Sequence, residues 1–203
     1  MKNKSTGYSF YKFLYALVFL PFKFLYRTEV VGLENVPDGG AVICANHSNW
    51  VDPFLIVYSV RRKHYIHFMA KIELFKNKIF GCILRGLDMI PVKRDGTDIN
   101  SVKLALTFLR RDEKLGIFPE GTRLSEDFSA AAKSGAIKIA EKSGKPIIPV
   151  HIPRKKKMFK KIKIVIGKPY YINPERKRLS PEEYDGLAQD LMVKIKELDL
   201  ENA

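Results

Sequence analysis

Beyond the first 27 residues, the apolar positions switch repeatedly between two periods. Short runs of β-branched and aromatic residues, bounded by Gly, Pro or charge clusters, read as strands: TEVVGLEN (28–35), AVICANH (41–47), HYIHFMA (64–70), DMIPVKR (88–94), KLGIFPE (114–120), PIIPVHI (146–152) and KIKIVIGKPYYI (161–172). The first two are divided by the turn Pro37-Asp38-Gly39-Gly40. Helices are predicted over 53–62, 72–86, 97–112, 133–143 and 180–198. The last opens Ser180-Pro181-Glu182-Glu183, an N-cap with an acid at the third helical position. Apolar strands alternating with helices predict an α/β domain over residues 28–203. Its sheet should be mixed but mostly parallel, covered by helices on both faces.

Residues 1–27 differ. The run YSFYKFLYALVFLPFKFLY (8–26) holds nine of the chain's 23 aromatic residues, and residues 1–27 carry five cations and no acid. Its uninterrupted apolar stretch, 13–22, is ten residues long, half of the ~20 that a spanning helix needs. No small-x-small cleavage site follows it, so a signal peptide fits poorly. Pro21 is expected to break or kink the run into two short helices. Lys12 and Lys23, eleven residues and three helical turns apart, point the same way and are expected to reach phosphate headgroups, with Phe19 spoiling the polar face. We read residues 5–27 as an N-terminal interfacial helical anchor, its aromatics at headgroup depth. The alternative is a helix docked on the protein's own core.

Composition narrows the class further. The 203 residues are 46% hydrophobic, which excludes a disordered chain, and the two cysteines are too few for a disulfide framework. The formal net charge of +14 calls for an anionic partner: nucleic acid, anionic lipid or a phosphorylated substrate. Residues 141–178 concentrate that charge, with 13 Lys or Arg against two Glu. Within them PRKKKMFKKIK (153–163) is expected to face an anionic membrane surface, a solvated loop being the alternative. A nucleic-acid-binding protein is the competing class, but metal-ligand clusters and RNA-binding aromatic signatures are missing.

ICANHSNWVDPF (43–54) carries the first candidate chemistry. Pro53 suits the first helical position, which places Asp52 at the N-cap. A non-helical turn would fold His47 back to the Asp52 carboxylate. One imidazole nitrogen is then fixed and the other left as a general base. FPEGTR (118–123) brings Glu120, Thr122 and Arg123 to the carboxyl end of a strand, with Gly121 freeing a tight turn. IPVKRDG brings Arg94 to the end of another strand, and AKIEL brings Lys71 to a third; three such cations suit a doubly charged phosphate. A covalent route through Ser48 or Cys44 is the alternative, but there is no G-x-S-x-G elbow and Cys44 falls in an apolar strand. His64, His67 and His151 have no Cys or carboxylate at ligand spacing. No metal site is expected, and no cofactor, since P-loop and dinucleotide fingerprints are absent.

The blocks NHSNWVD, AKIELF, IPVKRDG, FPEGTR and PIIPV, in this order and spacing over roughly residues 28–170, resemble the 1-acyl-glycerol-3-phosphate acyltransferase family, the glycerolipid acyltransferases with an H-x4-D motif. The resemblance implies acyl transfer from a thioester, on acyl carrier protein or coenzyme A, to the free hydroxyl of lysophosphatidic acid. The product is phosphatidic acid. It further implies His47 as base, Asp52 as its partner, Glu120 and Gly121 in acceptor binding, and Arg94, Arg123 and Lys71 on the phosphate. Asn46 and Lys133 fall in matching blocks as additional candidates. The activated thioester makes direct attack sufficient, without an acyl-enzyme. Bacterial members carry a two-helix interfacial anchor, so the expected location is the cytoplasmic face of a bacterial membrane, peripheral or monotopic. One departure stands out: Ala132-Lys133-Ser134-Gly135 replaces the usual Phe-Lys-x-Gly. It leaves acyl length and acceptor identity open, including glycerol-3-phosphate or another lysophospholipid.

Overall fold

Among the seven strands, the middle of the sheet is the least ambiguous in sequence, because its residues are apolar on both sides. The computed structural model describes residues 7–60, 64–93, 98–121, 132–175 and 177–200. In chain order these form α1 (Gly7–Leu25), β1 (Arg27–Val31), a 3-10 turn (Leu33–Asn35), β2 (Ala41–Ala45), α2 (Asp52–Ser59) and β3 (Ile66–Lys71). There follow a second 3-10 segment (Ile72–Lys76), α3 (Lys78–Gly86), β4 (Ile90–Val92), α4 (Ile99–Arg110), β5 (Lys114–Ile117), α5 (Gly135–Ser143), β6 (Ile147–His151), β7 (Lys161–Ile166) and α6 (Pro181–Leu200). The sheet order is β1-β7-β6-β2-β5-β3-β4, parallel at every pairing except β6 with β7.

Every residue of β2, β5 and β6 is buried, the signature of a parallel sheet covered on both faces. Side chains alternate between the faces. Val42 and Cys44 pack with Ala105, Leu109, Ile137 and Leu191 of α4, α5 and α6, whereas Ile43 and Ala45 pack with Leu55 and Ile56 of α2 and Phe22 of α1. The parallel order sends the chain out of β2, β5, β3, β4 and β6 at one edge. The segments after β2, β5 and β6 are therefore neighbours there.

Several expectations needed correction. α1 runs unbroken through Pro21. The proline removes one donor; Leu17, whose carbonyl would have received it, and Pro21 itself are exposed. The stretch 72–86 is divided at Asn77, whose side-chain oxygen accepts from the backbone N–H groups of Ile79 and Phe80 and so starts α3 afresh. The run 161–172 leaves the sheet after Ile166, keeping only a bridge between Tyr170 and Ile147. α6 begins with the expected capping box: Glu183 N–H donates to Ser180 Oγ (3.2 Å) and Ser180 N–H to Glu183 Oε2 (2.6 Å).

α1 is two-sided. Tyr11, Tyr15, Val18 and Phe22, at alternating spacings of four and three, face the domain: Tyr11 packs tilted against Tyr65 (4.7 Å between centroids), Phe22 stacks on Tyr58 (4.6 Å), and Tyr11 Oη donates to the His64 carbonyl. Phe13, Leu17 and Phe24 point outward. The docked reading describes the inward face, and the outward face is exposed and apolar. The Lys12 ammonium lies over the Tyr8 ring at 4.5 Å instead of extending outward. Among the described residues, no helix is long and apolar enough to cross a membrane.

Candidate active site

The loop leaving β2 sits between the loops leaving β5 and β6, and each contributes to one cluster. Asn46, wholly buried, donates from its amide to the Ile152 carbonyl (2.7 Å) and accepts from the Ile152 N–H (2.8 Å). Both ends of that amide latch the exit of β2 to the exit of β6, so Asn46 supports the site's backbone. The chain then turns through Ser48 and Asn49, and Asp52 N–H closes onto the Asn49 carbonyl.

His47 Nδ1 lies 3.0 Å from Asp52 Oδ2. The same oxygen accepts the N–H groups of Ser48 and Asn49, each at 2.8 Å, which pins the carboxylate beneath the turn. Asp52 is the first residue of α2 and not its cap: Val51 already has helical backbone angles, so the helix starts one residue early. Its carboxylate, fully buried, reaches back over the turn nonetheless. Burial pushes the Asp52 carboxyl up, but hydrogen bonds from His47, Lys156 and Asn49 outweigh it and hold the group below the usual carboxylate range.

The imidazole lies on the ring of Phe118 (4.1 Å, 21°), which in turn stacks near Phe68 (5.9 Å). Gly116 makes room for this column, since a Cβ there would come within 2.5 Å of the Phe68 ring. Between Phe118 and Asp52 the ring plane is set, and Nε2 is the free nitrogen among the described residues.

Glu120 arrives from the end of β5. It is buried, its Oε2 accepts the His47 backbone N–H at 3.1 Å, and its Oε1 lies 3.9 Å from Arg154 Nη2. Burial raises the Glu120 carboxyl above its ordinary range, against the pull of the His47 N–H and Arg154. Gly121 has φ of +67°, and its N–H closes a turn onto the Phe118 carbonyl. The Lys133 side chain runs across Gly121, so any Cβ at 121 would meet its methylenes at 3.2 Å. Lys71 ends β3 at the same edge, exposed, with its ammonium 3.7 Å from Glu73. Arg94, Thr122 and Arg123 lie outside the described residues.

Two residues of the site were not anticipated. Lys156, read from sequence as part of a membrane-facing basic run, turns inward. Its side chain is 2% exposed, with Nζ 2.8 Å from Asp52 Oδ1 and 2.7 Å from Ser48 Oγ. Arg154 faces Glu120 as above. Lys155, Lys157 and Lys160 of the same run are exposed. The signal that could have found the two inward residues is topological: a strand parallel to and beside β2 must deliver its next few residues next to His47. Ser48, with its hydroxyl on Lys156, and Cys44, whose thiol burial pushes well up, are poorly set as nucleophiles.

Residues 27–153 match the family model described as Acyltransferase. The chain is 36% identical over 177 residues to the 1-acyl-sn-glycerol-3-phosphate acyltransferase of Bacillus subtilis, covering 84% of this chain and 87% of that one. It is 35% identical over 114 residues to the enzyme of the same name from Streptococcus pneumoniae, covering 56% and 41% respectively. The crystal structure of the 1-acyl-sn-glycerophosphate (LPA) acyltransferase, PlsC, from Thermotoga maritima superposes with a TM-score of 0.66 and 25% identity, over 97% of this chain and 78% of that one.

Proposed function

The chain belongs to the acyltransferase family, and from that premise we propose that it acylates the free hydroxyl of 1-acyl-glycerol-3-phosphate, making phosphatidic acid, with His47 as the base. The observation that carries the role of His47 is its Nδ1 held by a buried carboxylate at 3.0 Å, with the ring braced on Phe118 at the carboxyl edge of a parallel sheet.

The steps follow from this arrangement. His47 Nε2 takes the hydroxyl proton as the oxygen attacks the thioester carbonyl; the tetrahedral adduct collapses, the C–S bond breaks, and the imidazolium returns the proton to the leaving thiolate. Base catalysis of this kind supplies about 10²–10⁴-fold. Fixing the acceptor within reach of Nε2 supplies much of the rest. We assign that fixing to the cations Lys71, Lys133, Arg94 and Arg123, with Thr122, acting on the phosphate. Glu120 holds the backbone of the His47 turn and, as a carboxyl with a raised pKa, suits contact with a polar acceptor. The acyl donor is a thioester of acyl carrier protein or coenzyme A.

Both acceptor and product are lipids, and the outer surface suits a bilayer. Phe13, Leu17 and Phe24 on α1 are continued by Met158 and Phe159: Phe24 meets Phe159 edge-on at 5.6 Å, and Phe159 N–H donates to the Leu25 carbonyl. Exposed Lys23, Lys155, Lys157 and Lys160 flank these residues in sequence and favour an anionic leaflet.

The test is an assay of the purified chain with lysophosphatidic acid, other lyso-acceptors and both thioesters. Phosphatidic acid should form, and His47→Ala should abolish it. Undiminished product from that variant, or a trapped acyl-enzyme, would overturn the mechanism. For the surface, Phe24→Ser with Phe159→Ser should weaken cosedimentation with phosphatidylglycerol vesicles by severalfold; unchanged binding rejects the patch.

A further inference from the structure

The buried contact between Lys156 and the His47–Asp52 pair is not required by the steps above. The two Asp52 oxygens are divided: Oδ2 serves His47 Nδ1 and two backbone N–H groups, while Oδ1 faces the Lys156 ammonium at 2.8 Å. That ammonium also donates to Ser48 Oγ, in the turn that carries His47. A cation spent on a surface run gains little from one such contact. One withdrawn from water onto a buried carboxylate is retained only with close geometry and further hydrogen bonds, both present here.

Resting on the proposed function, we propose that Lys156 is a positioning residue of the transfer reaction. By taking Oδ1 of Asp52 it limits the carboxylate's hold on the imidazole, so that His47 stays ready to accept a proton, and it fastens the loop after β6 over the turn. The loop is fixed on both sides of Lys156. Arg154 faces Glu120 and its carbonyl accepts from Ser48 Oγ (3.5 Å), while Phe159 N–H is bonded to the end of α1.

The direction of the effect follows from the charges around the ring. Asp52 comes from α2, Glu120 from the end of β5, Arg154 and Lys156 from the loop after β6, and Lys133 from beyond Gly121. A carboxylate beside the ring favours an imidazolium, and a nearby cation opposes it. Lys156 opposes it most directly, through the carboxylate they share. Removing its charge should make the ring harder to deprotonate.

The experiment uses the full chain with Lys156→Met, Lys156→Gln and Lys156→Arg. Two readouts are compared: the pH profile of kcat/KM and the titration of the His47 ring nitrogens by NMR, which needs no turnover. Expected for Met and Gln is an upward move of the acid limb and of the ring titration by about one pH unit, from loss of one nearby like charge. On that limb, where rate follows the deprotonated fraction, the rate at a given pH should fall roughly tenfold, with Arg close to the parent. Should Met fail to fold, Gln carries the test, since it keeps a donor on Asp52. The proposal is overturned by an unmoved ring titration in folded Gln, or by a shift in Met that Gln does not share. A ring titration that moves in a protein with no acyltransferase activity would leave the Lys156 coupling standing and sink the functional reading instead.

Discussion

Two histidine–carboxylate pairs in this molecule look alike on paper. His47 Nδ1 meets Asp52 at 3.0 Å and its ring lies on Phe118 at 4.1 Å; His67 Nε2 meets Glu113 at 2.8 Å and its ring lies on Phe108 at 3.7 Å. The difference is what remains unspent. His67 also bonds through Nδ1 to the Asp88 carbonyl (3.1 Å), so both nitrogens are committed, and the residue is wholly buried in β3. His47 commits one nitrogen, has 14% of its side chain exposed and stands at the edge where the strands deliver their loops. A carboxylate beside an imidazole is thus only half of a base. The other half is a nitrogen without work, on the side of the sheet where a substrate can arrive.

That contrast can be broken experimentally. The largest effect should be His47→Ala, which costs activity about 10²–10⁴-fold or more while leaving the melting temperature within a few degrees. Asp52→Asn should follow at about 10²–10⁴-fold, by upsetting the tautomer. It should also alter acid unfolding. The Asp52 carboxyl is held low in the fold, so its share of stability is complete above about pH 4 and lost as pH falls through the folded value; the variant should lose that component. His67→Ala should do the opposite of His47→Ala, destabilising by about 2–4 kcal/mol in urea melts while each folded molecule keeps its turnover. A smaller effect is expected far from both pairs, at Ser180→Ala, with about 1 kcal/mol lost from the α6 cap and no change in rate. Equal damage to turnover from the His47 and His67 substitutions would erase the distinction.

How far the amino-acid order revealed this depends on the range of each interaction. The dyad was legible because His47 and Asp52 are five residues apart in a turn that Pro53 helps to end, and the strands because β2, β5 and β6 are apolar throughout. Lys156 was not, because its partners are about a hundred residues upstream and its neighbours Lys155 and Lys157 do point to solvent. Composition averages over such a run, whereas strand adjacency singles out one member. The misreadings at Pro21 and Asn77 have the opposite origin. There a strong local rule met a context that tolerated the lost donor in one case and supplied a cap inside a continuous apolar pattern in the other.

The seat of α1 on α2 bears on how the protein should be handled. Trimming the aromatic N-terminus looks like a route to better-behaved recombinant material. Yet Phe22 and Tyr15 shield Tyr58, and Tyr11 shields Tyr65. A shortened version would trade one sticky surface for another, beside the very helix that begins with Asp52. The untrimmed chain is therefore the sounder preparation.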